Sequence, residues 1–224
     1  MRSIHLLFSV ISLIALISIS SCAYDAEKSI PASCQTKCVS PYGAVLGVST
    51  SGVKAYSNCQ SECVTYHPNR LNGVYTGVKW QCVEFARRWL LVNRNAVYGE
   101  VEVAVDIWNK INHITHVATQ KKIPLESRLN GSTQAPQVGD LLIYAEVFHE
   151  TGHVAVVTEV NHESGFIEVA EQNYKNEVWP GNYARRIKFI KNGDEYWLLD
   201  SYLLGWKHIQ SQVVSNQAGV SRSG

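Results

Sequence analysis

The stretch KWQCVEFARRWLLVN, residues 79–93, places a cysteine at the start of an amphipathic pattern. Val83, Ala86 and Leu90 recur at helical spacing, which predicts a helix over this stretch. Cys82 would then lie at the helix N-terminus, where the helix dipole and free backbone N–H groups stabilise an anion. A thiolate in such a position has a lowered pKa and can act as a nucleophile. A cysteine that only fills space in the core is the alternative.

A nucleophilic cysteine needs a base and a group that orients the base. Among the eight histidines, His153 opens the run HVAVVTEV directly after a glycine, where a strand edge can hold an imidazole at the lip of a cleft. Glu171 ends the next predicted strand. Since the start of one antiparallel strand lies beside the end of its neighbour, Glu171 or Asn173 is expected near His153. Gln81 precedes Cys82 and is a candidate neighbour of an oxyanion site made by the helix N–H groups.

The rest of the chain predicts an α+β fold in which helices precede an antiparallel sheet. A second helix is expected over residues 101–115, whereas residues 24–78 are rich in turn signals and are predicted to form a loop-rich arm. After residue 140 the pattern changes to short β-branched runs that are typical of strands: LLIYAEV, HVAVVTEV and GFIEVAEQN. Asn192-Gly193 lies between two apolar runs and predicts a hairpin with a type I′ turn.

Two C-x-x-x-C segments, CQTKC and CQSEC, contain Cys34, Cys38, Cys59 and Cys63. In an exported chain such an even set predicts two disulfides, and three connectivities are possible. If the segments are helical, the two sulfurs of each segment lie on one face. A four-thiolate zinc site is the alternative, although its usual spacing is C-x-x-C. Cys82 is left over.

The N-terminus has the layout of a secretory signal peptide, with Arg2 before an apolar run and small residues after it. We therefore expect residues 1–23 to be removed on export and the protein to be periplasmic or extracellular. A membrane anchor is the alternative, and the motif ISSC also allows lipidation of Cys22. Residues 209–224 are polar and are predicted to be a frayed tail. The formal net charge of +1 gives no reason to expect a nucleic acid as a partner.

The motif HETGH, residues 149–153, matches the zinc signature H-E-x-x-H. That signature needs a helix so that both histidines share one face, whereas Thr151-Gly152 and the strand-like run after them break a helix. A zinc hydrolase that uses His149, Glu150 and His153 is thus an alternative function, and a catalytically silent peptide-binding module is another. We expect no metal and no cofactor.

Four segments in this order, KWQCVEFARRWL, APQVGDLLIY, TGHVAVVTEV and VAEQN, resemble the CHAP family of cysteine, histidine-dependent amidohydrolases/peptidases. Within that family they are most similar to the amidase half of the glutathionylspermidine synthetase/amidases. The likeness runs from about residue 41 to about residue 206, and we assign residues 41–208 to the domain, which includes part of the arm. The resemblance implies a papain-like fold, with the nucleophile on a helix packed against an antiparallel sheet.

The resemblance also implies roles for single residues. It makes Cys82 the nucleophile, His153 the base and Glu171 the orienting acid, and it places Arg87 or Glu84 near the substrate. The ATP-dependent ligase half of that branch has no counterpart here, so the expected reaction is hydrolysis of an amide and not its synthesis.

We therefore expect an exported, monomeric thiol amidase or peptidase that acts on a small amide or peptide. The resemblance favours a glutathionylspermidine-type amide, whereas export favours a cell-wall peptide and association with the cell wall. The alternative within the same class is an endopeptidase or amidase of peptidoglycan only.

Overall fold

The computed structural model describes residues 30–210. Residues 1–29 and 211–224, with the predicted signal peptide and nearly all of the predicted tail, lie outside the described part. The strands are, in chain order, β1 (Val45–Val48), β2 (Lys54–Tyr56), β3 (Pro68–Leu71), β4 (Val74–Val78), β5 (Ala96–Tyr98), β6 (His113–His116), β7 (Lys122–Leu129), β8 (Leu141–Tyr144), β9 (His153–Asn161), β10 (Phe166–Ala170), β11 (Arg185–Asn192), β12 (Glu195–Leu198) and β13 (Leu203–Ile209). The α-helices are α1 (Cys82–Arg94) and α2 (Asp106–Lys110).

Nine strands form one antiparallel sheet in the order β12-β11-β10-β9-β8-β13-β7-β6-β5. The other four form two separate hairpins, β1-β2 and β3-β4, and both precede α1 along the chain. The predicted antiparallel sheet is thus present, and α1 precedes all nine of its strands. The predicted order is only partly correct, because the two hairpins precede α1 and β5 precedes α2. The early strands have only three to five residues each, too few to show a clear alternation in the sequence.

Helix α1 packs on one face of the sheet. Since successive side chains of a strand point to opposite faces, β8 contributes to two cores. Leu141 and Ile143 pack with Phe85 of α1, whereas Leu142 lies in a second core with Trp206. The start of α1 is therefore held directly against the middle of the sheet.

The backbone conformations of two residues explain where α1 begins and ends. Gln81 is extended, with φ −79° and ψ 156°, and forms the N-cap. Asn95 adopts the left-handed conformation, with φ 48°, and its N–H bonds to the carbonyl of Leu91, which is a common way to stop a helix. The predicted helix is confirmed. Within residues 30–210 no helix is long and apolar enough to cross a membrane.

The second predicted helix is mostly wrong. Only Asp106–Lys110 is helical, and His113–His116 forms strand β6. Ile114 pairs with Tyr98 of β5 on one side and with Ile123 of β7 on the other. Pairing on both edges of β6 and the β-branched residues there favour a strand over the helix that the apolar spacing suggested.

The predicted loop-rich arm is only partly correct, because it contains both small hairpins. Its two disulfides join Cys34 to Cys63 and Cys38 to Cys59. The C-x-x-x-C segments are not α-helical. Ala32–Cys34 forms a single 3-10 turn, and residues 59–62 form bends and turns.

The hairpin predicted at Asn192-Gly193 is confirmed, but its turn is not type I′. Asn192 pairs with Glu195, so the loop consists of Gly193 and Asp194. Of these two residues only Gly193 has positive φ, at 60°. Positive φ at the first central position alone fits a type II′ turn.

Candidate active site

Cys82 is the first residue of α1 and the one cysteine within residues 30–210 that is outside a disulfide. It is 9% exposed. The first N–H groups of a helix have no partner within the helix. One of them, from Val83, hydrogen-bonds to the sulfur, and so does the backbone amide of Val154 in β9. The sequence thus places the thiol where backbone donors favour its anion.

His153 is the first residue of β9 and lies beside Cys82. It pairs with Tyr144 at the end of β8. The turn before it depends on Gly152, whose φ is +71° and whose position leaves no room for a side chain. A Cβ there would lie 2.6 Å from the carbonyl oxygen of Tyr144. Gly152 therefore allows the chain to deliver the imidazole to the start of α1.

Glu171 follows β10 immediately. Strands β9 and β10 are antiparallel, with Ala170 opposite Val156, which brings the end of one beside the start of the other. The Nε2 atom of His153 lies 2.9 Å from Oε2 of Glu171. Both residues are 2% exposed. Because Nε2 faces the carboxylate, Nδ1 is the ring nitrogen left to exchange a proton with the thiol.

The charges of the pair stabilise each other. Burial raises the pKa of the Cys82 thiol, but the charge of His153 and hydrogen bonds to the sulfur outweigh it, so the net pKa is lowered. Burial lowers the pKa of His153, and the Cys82 charge together with Glu171 reverses this and raises it to about 9. Both shifts favour an imidazolium and a thiolate over a neutral imidazole and a thiol.

Arg185, at the start of β11, is a site residue that the sequence did not reveal. Its Nε donates to Oε1 of Glu171 at 2.6 Å, and a second nitrogen donates to the Tyr144 hydroxyl at 2.7 Å. A third contact, of 2.5 Å, joins it to Asp200. Burial raises the pKa of Glu171, but the Arg185 charge and His153 outweigh burial and lower it. Glu171 is thus held ionised from its far side.

A cavity of about 290 Å³ opens at Cys82. Arg87 lines it and is 6% exposed. Its guanidinium lies over the rings of Tyr75 and Tyr98, at 5.5 and 5.8 Å. Its Nε atom is buried without a hydrogen-bond partner. A guanidinium on a cleft wall can bind an anionic group of a ligand.

The position of Glu84 does not fit the predicted contact with substrate. The residue is fully buried and forms an ion pair of 2.7 Å with Arg88, one helical turn later. Its carboxylate also accepts hydrogen bonds of 2.8 Å from Asn69 and from Thr76. Residues two apart on a helix do not face each other, so Glu84 points away from Cys82 and into the protein.

Gln81 and Asn173 lie beside the cleft but contact each other and not His153. Nδ2 of Asn173 donates to Oε1 of Gln81 at 2.9 Å, and Nε2 of Gln81 donates to the carbonyl of Cys63 at 3.1 Å. Gln81 lines the cavity with Cys82. The structure therefore brings Gln81 to the nucleophile, with Asn173 behind it.

The segment HETGH does not form the helix that a zinc signature needs. Residues 149–152 form a turn, in which His149 and Glu150 have φ of 54° and 61°, and His153 begins a strand. Over residues 30–210 no three His, Cys, Asp or Glu side chains come together in a group that could hold a metal ion. His153 is instead paired with Glu171.

Comparison with known proteins gives a consistent result. The model of the CHAP domain matches residues 72–173. The bifunctional glutathionylspermidine synthetase/amidase of Escherichia coli K12 is 32% identical over 181 residues, which covers 74% of this chain and 29% of that protein. The trypanothione synthetase of Crithidia fasciculata is 31% identical over 160 residues, or 71% of this chain and 24% of that protein.

A glutathionylspermidine synthase of Crithidia fasciculata is 36% identical over 142 residues, which covers 60% of this chain and 19% of that protein. The chain thus spans less than a third of the length of these curated relatives. The matched CHAP segment contains Cys82, His153 and Glu171.

Proposed function

The chain carries a CHAP domain over residues 72–173, and from that premise we propose that it is a thiol amidohydrolase with Cys82 as its nucleophile. The observation that carries this proposal is the row of contacts from Cys82, which lines a cavity, through the buried His153 to the buried Glu171. A silent binding module would have no use for a thiolate, an imidazole and an orienting carboxylate in contact. The arrangement of α1 on an antiparallel sheet also supports classification as papain-like.

The proposed reaction has two steps. The Cys82 thiolate attacks the amide carbonyl, His153 delivers its Nδ1 proton to the leaving amine, and the acyl group remains on sulfur as a thioester. A water then attacks the thioester and gives a proton to His153. The carbon–sulfur bond breaks, the carboxylic acid product leaves, and the Cys82 thiolate and the protonated His153 are restored. Glu171 keeps the imidazole oriented and stabilises its charge in both steps. Arg185 keeps Glu171 ionised and in place.

The negative oxygen that forms on the attacked carbonyl needs donors. The backbone N–H group of Val83, at the start of α1, lies at the sulfur, and Gln81 lines the cavity there. We assign both to the oxyanion site. Removing one such donor typically lowers kcat by about 100- to 1000-fold.

The substrate that this cleft fits best is an amide whose acyl part carries a carboxylate. Arg87 supplies the cation, because it lines the cavity that opens at Cys82. The names of the relatives mention glutathionylspermidine and trypanothione, and a glutathionyl group that is amidated at its glycine keeps one free carboxylate, on the γ-glutamyl residue. A glutathionylspermidine-type amide is therefore the first candidate, and a cell-wall peptide is the second.

Export is part of the same proposal. Two disulfides among the described residues support an oxidising compartment, and the N-terminal sequence has a signal-peptide layout. An exported enzyme meets cell-wall peptides more readily than a cytosolic polyamine conjugate. Export thus affects which substrate is supplied, whereas the cleft decides which substrate reacts.

The test is an assay of purified protein against both substrate classes, with Cys82→Ala as the inactive control. We expect release of free spermidine from glutathionylspermidine, and a loss in kcat/KM of roughly 10- to 150-fold on Arg87→Ala, the value of a hydrogen bond to a charged group. Release of amines from purified peptidoglycan without any release of spermidine would refute the polyamine-amide assignment. Turnover of neither class would refute the amidohydrolase itself.

A further inference from the structure

The side-chain amide of Gln81 is anchored at both ends. Its Nε2 donates to the carbonyl of Cys63 at 3.1 Å, and its Oε1 accepts from Nδ2 of Asn173 at 2.9 Å. Cys63 is fully buried and is joined by a disulfide to Cys34. The residue directly before the nucleophile is thus tied to the disulfide-bonded segment at the start of the described chain.

The orientation of this amide follows from the chemistry of its neighbours. A backbone carbonyl only accepts hydrogen bonds, so the Gln81 atom that faces Cys63 must be Nε2. Oε1 then faces Asn173, which must present Nδ2. A carboxamide nitrogen carries two hydrogens, and one of them remains free after the bond to Cys63. Gln81 also lines the cavity at Cys82, and this second hydrogen is the one that an oxyanion there would use.

Asn58 holds the two anchors together. It is fully buried, and its Nδ2 donates to the carbonyl of Cys63 at 2.6 Å and to Oδ1 of Asn173 at 3.2 Å. Its own Oδ1 accepts from the backbone amide of Trp80 at 3.4 Å. The segment before α1, the Cys63 carbonyl and Asn173 therefore form one hydrogen-bonded unit around Gln81.

We propose that the Cys34–Cys63 bridge, Asn58 and Asn173 position Gln81 as an oxyanion donor, so that the disulfide-bonded segment is part of the catalytic apparatus. An unanchored glutamine samples many rotamers, and aligning it during the reaction costs free energy. A donor that is aligned beforehand avoids this cost. The inference rests on the proposed function, since it concerns the same thioester-forming step.

The first test is a double-mutant cycle on Gln81 and Asn173, with kcat measured on the amide that the wild type turns over. We expect Gln81→Ala to lower kcat by about 100-fold or more, and Asn173→Ala to lower it by roughly 3- to 10-fold with KM nearly unchanged. In the double variant, kcat should be no lower than in Gln81→Ala alone, because Asn173 acts on kcat only through Gln81. Additive effects, or no effect of Asn173→Ala alone, would overturn the proposal.

The second test compares the two disulfides. Their sequence separations are 29 and 21 residues, so chain entropy assigns them similar contributions to stability. Cys34→Ser with Cys63→Ser should lower kcat severalfold at a temperature where circular dichroism shows a folded protein. The matched control, Cys38→Ser with Cys59→Ser, should keep kcat within about 2-fold, because no hydrogen bond joins either residue to Gln81. Equal kcat in both variants would show that the Cys34–Cys63 disulfide only stabilises the fold and does not position Gln81.

The two levels of the argument fail in different ways. If the wild type turns over no amide, the proposed function fails before any variant is made. If the wild type and Gln81→Ala behave as expected but the cycle is additive, only the positioning role fails.

Discussion

Glu84 and Glu171 are both buried carboxylates that bind an arginine, one in the first turn of α1 and the other directly after β10. Glu84 is 0% exposed and pairs with Arg88, whereas Glu171 is 2% exposed and pairs with Arg185. Burial and an ion pair thus do not distinguish them. The difference is the third partner, since one oxygen of Glu171 faces an imidazole and all the bonds to Glu84 come from scaffold groups.

This comparison shows that a buried ion pair of a glutamate and an arginine can either stabilise the fold or orient a residue of the active site. Around Glu84, donors from the β3-β4 hairpin, α1 and Gln172 join three parts of the chain, which locks the helix against its surroundings. Around Glu171, the arginine fixes the carboxylate and the carboxylate fixes His153, which in turn contacts the thiol. A buried carboxylate is therefore expected to affect turnover only where its network reaches a group that exchanges protons.

The largest expected effect is that of Glu171→Gln on kcat. The amide is nearly the same size but carries no charge, so the imidazolium loses its stabilising partner. We expect kcat to fall by about 100- to 10000-fold. The measurement is steady-state turnover. Glu168→Gln is the matched control, because Glu168 is a buried carboxylate in β10 that pairs with Arg186, and it should change kcat by less than about 2-fold.

Glu84→Gln should act on stability and not on chemistry. It leaves the buried guanidinium of Arg88 without its charge partner, which typically costs about 3–5 kcal/mol. Urea unfolding would measure this loss, and turnover per folded molecule should stay within about 2-fold of the wild type. A fall in kcat as large as that of Glu171→Gln, in protein shown to be folded, would mean that the two networks are not separate.

A smaller effect is expected at Arg185, which acts through Glu171. Arg185→Met removes the charge that chiefly lowers the pKa of Glu171, so that pKa rises. The carboxylate then becomes protonated, and its help to His153 is lost, at a higher pH than in the wild type. The acid limb of kcat/KM against pH should move upward, with a loss of roughly 10-fold at neutral pH.

Arg186→Met is the control for that profile. Arg186 is the next residue in β11, but its side chain is 53% exposed and pairs with Glu168. The acid limb of kcat/KM against pH should be the same in Arg186→Met as in the wild type. An unshifted profile for Arg185→Met would show that Arg185 only supports the fold.

Local patterns in the sequence were sufficient for part of this site. The spacing of Val83, Ala86 and Leu90 predicted α1, and the strand-like run after Gly152 predicted β9. Both depend on neighbours a few residues away. The antiparallel neighbour then brought Glu171 to His153 without any further assumption.

The pairing register between strands could not be predicted from local patterns in the same way. Arg185 lies opposite Val169, and a shift of one residue would have presented Arg186 instead. The choice among three disulfide connectivities depends on the path of the chain between the two segments. The sequence was sufficient to predict that the Glu84 side chain points away from Cys82, since residues two apart on a helix do not face each other. The resemblance instead favoured a contact between Glu84 and substrate.

The state of Cys82 is the central claim, and its rate of alkylation by iodoacetamide against pH tests it most directly. Peptide mapping should show Cys82 carboxymethylated with activity lost in parallel, at pH values well below the ordinary thiol pKa of about 8.5. In His153→Ala, burial without the imidazolium should move this reaction to higher pH, because burial raises the pKa of the thiol. Full alkylation of Cys82 with activity retained, or the same pH profile in His153→Ala as in the wild type, would contradict a thiolate paired with His153.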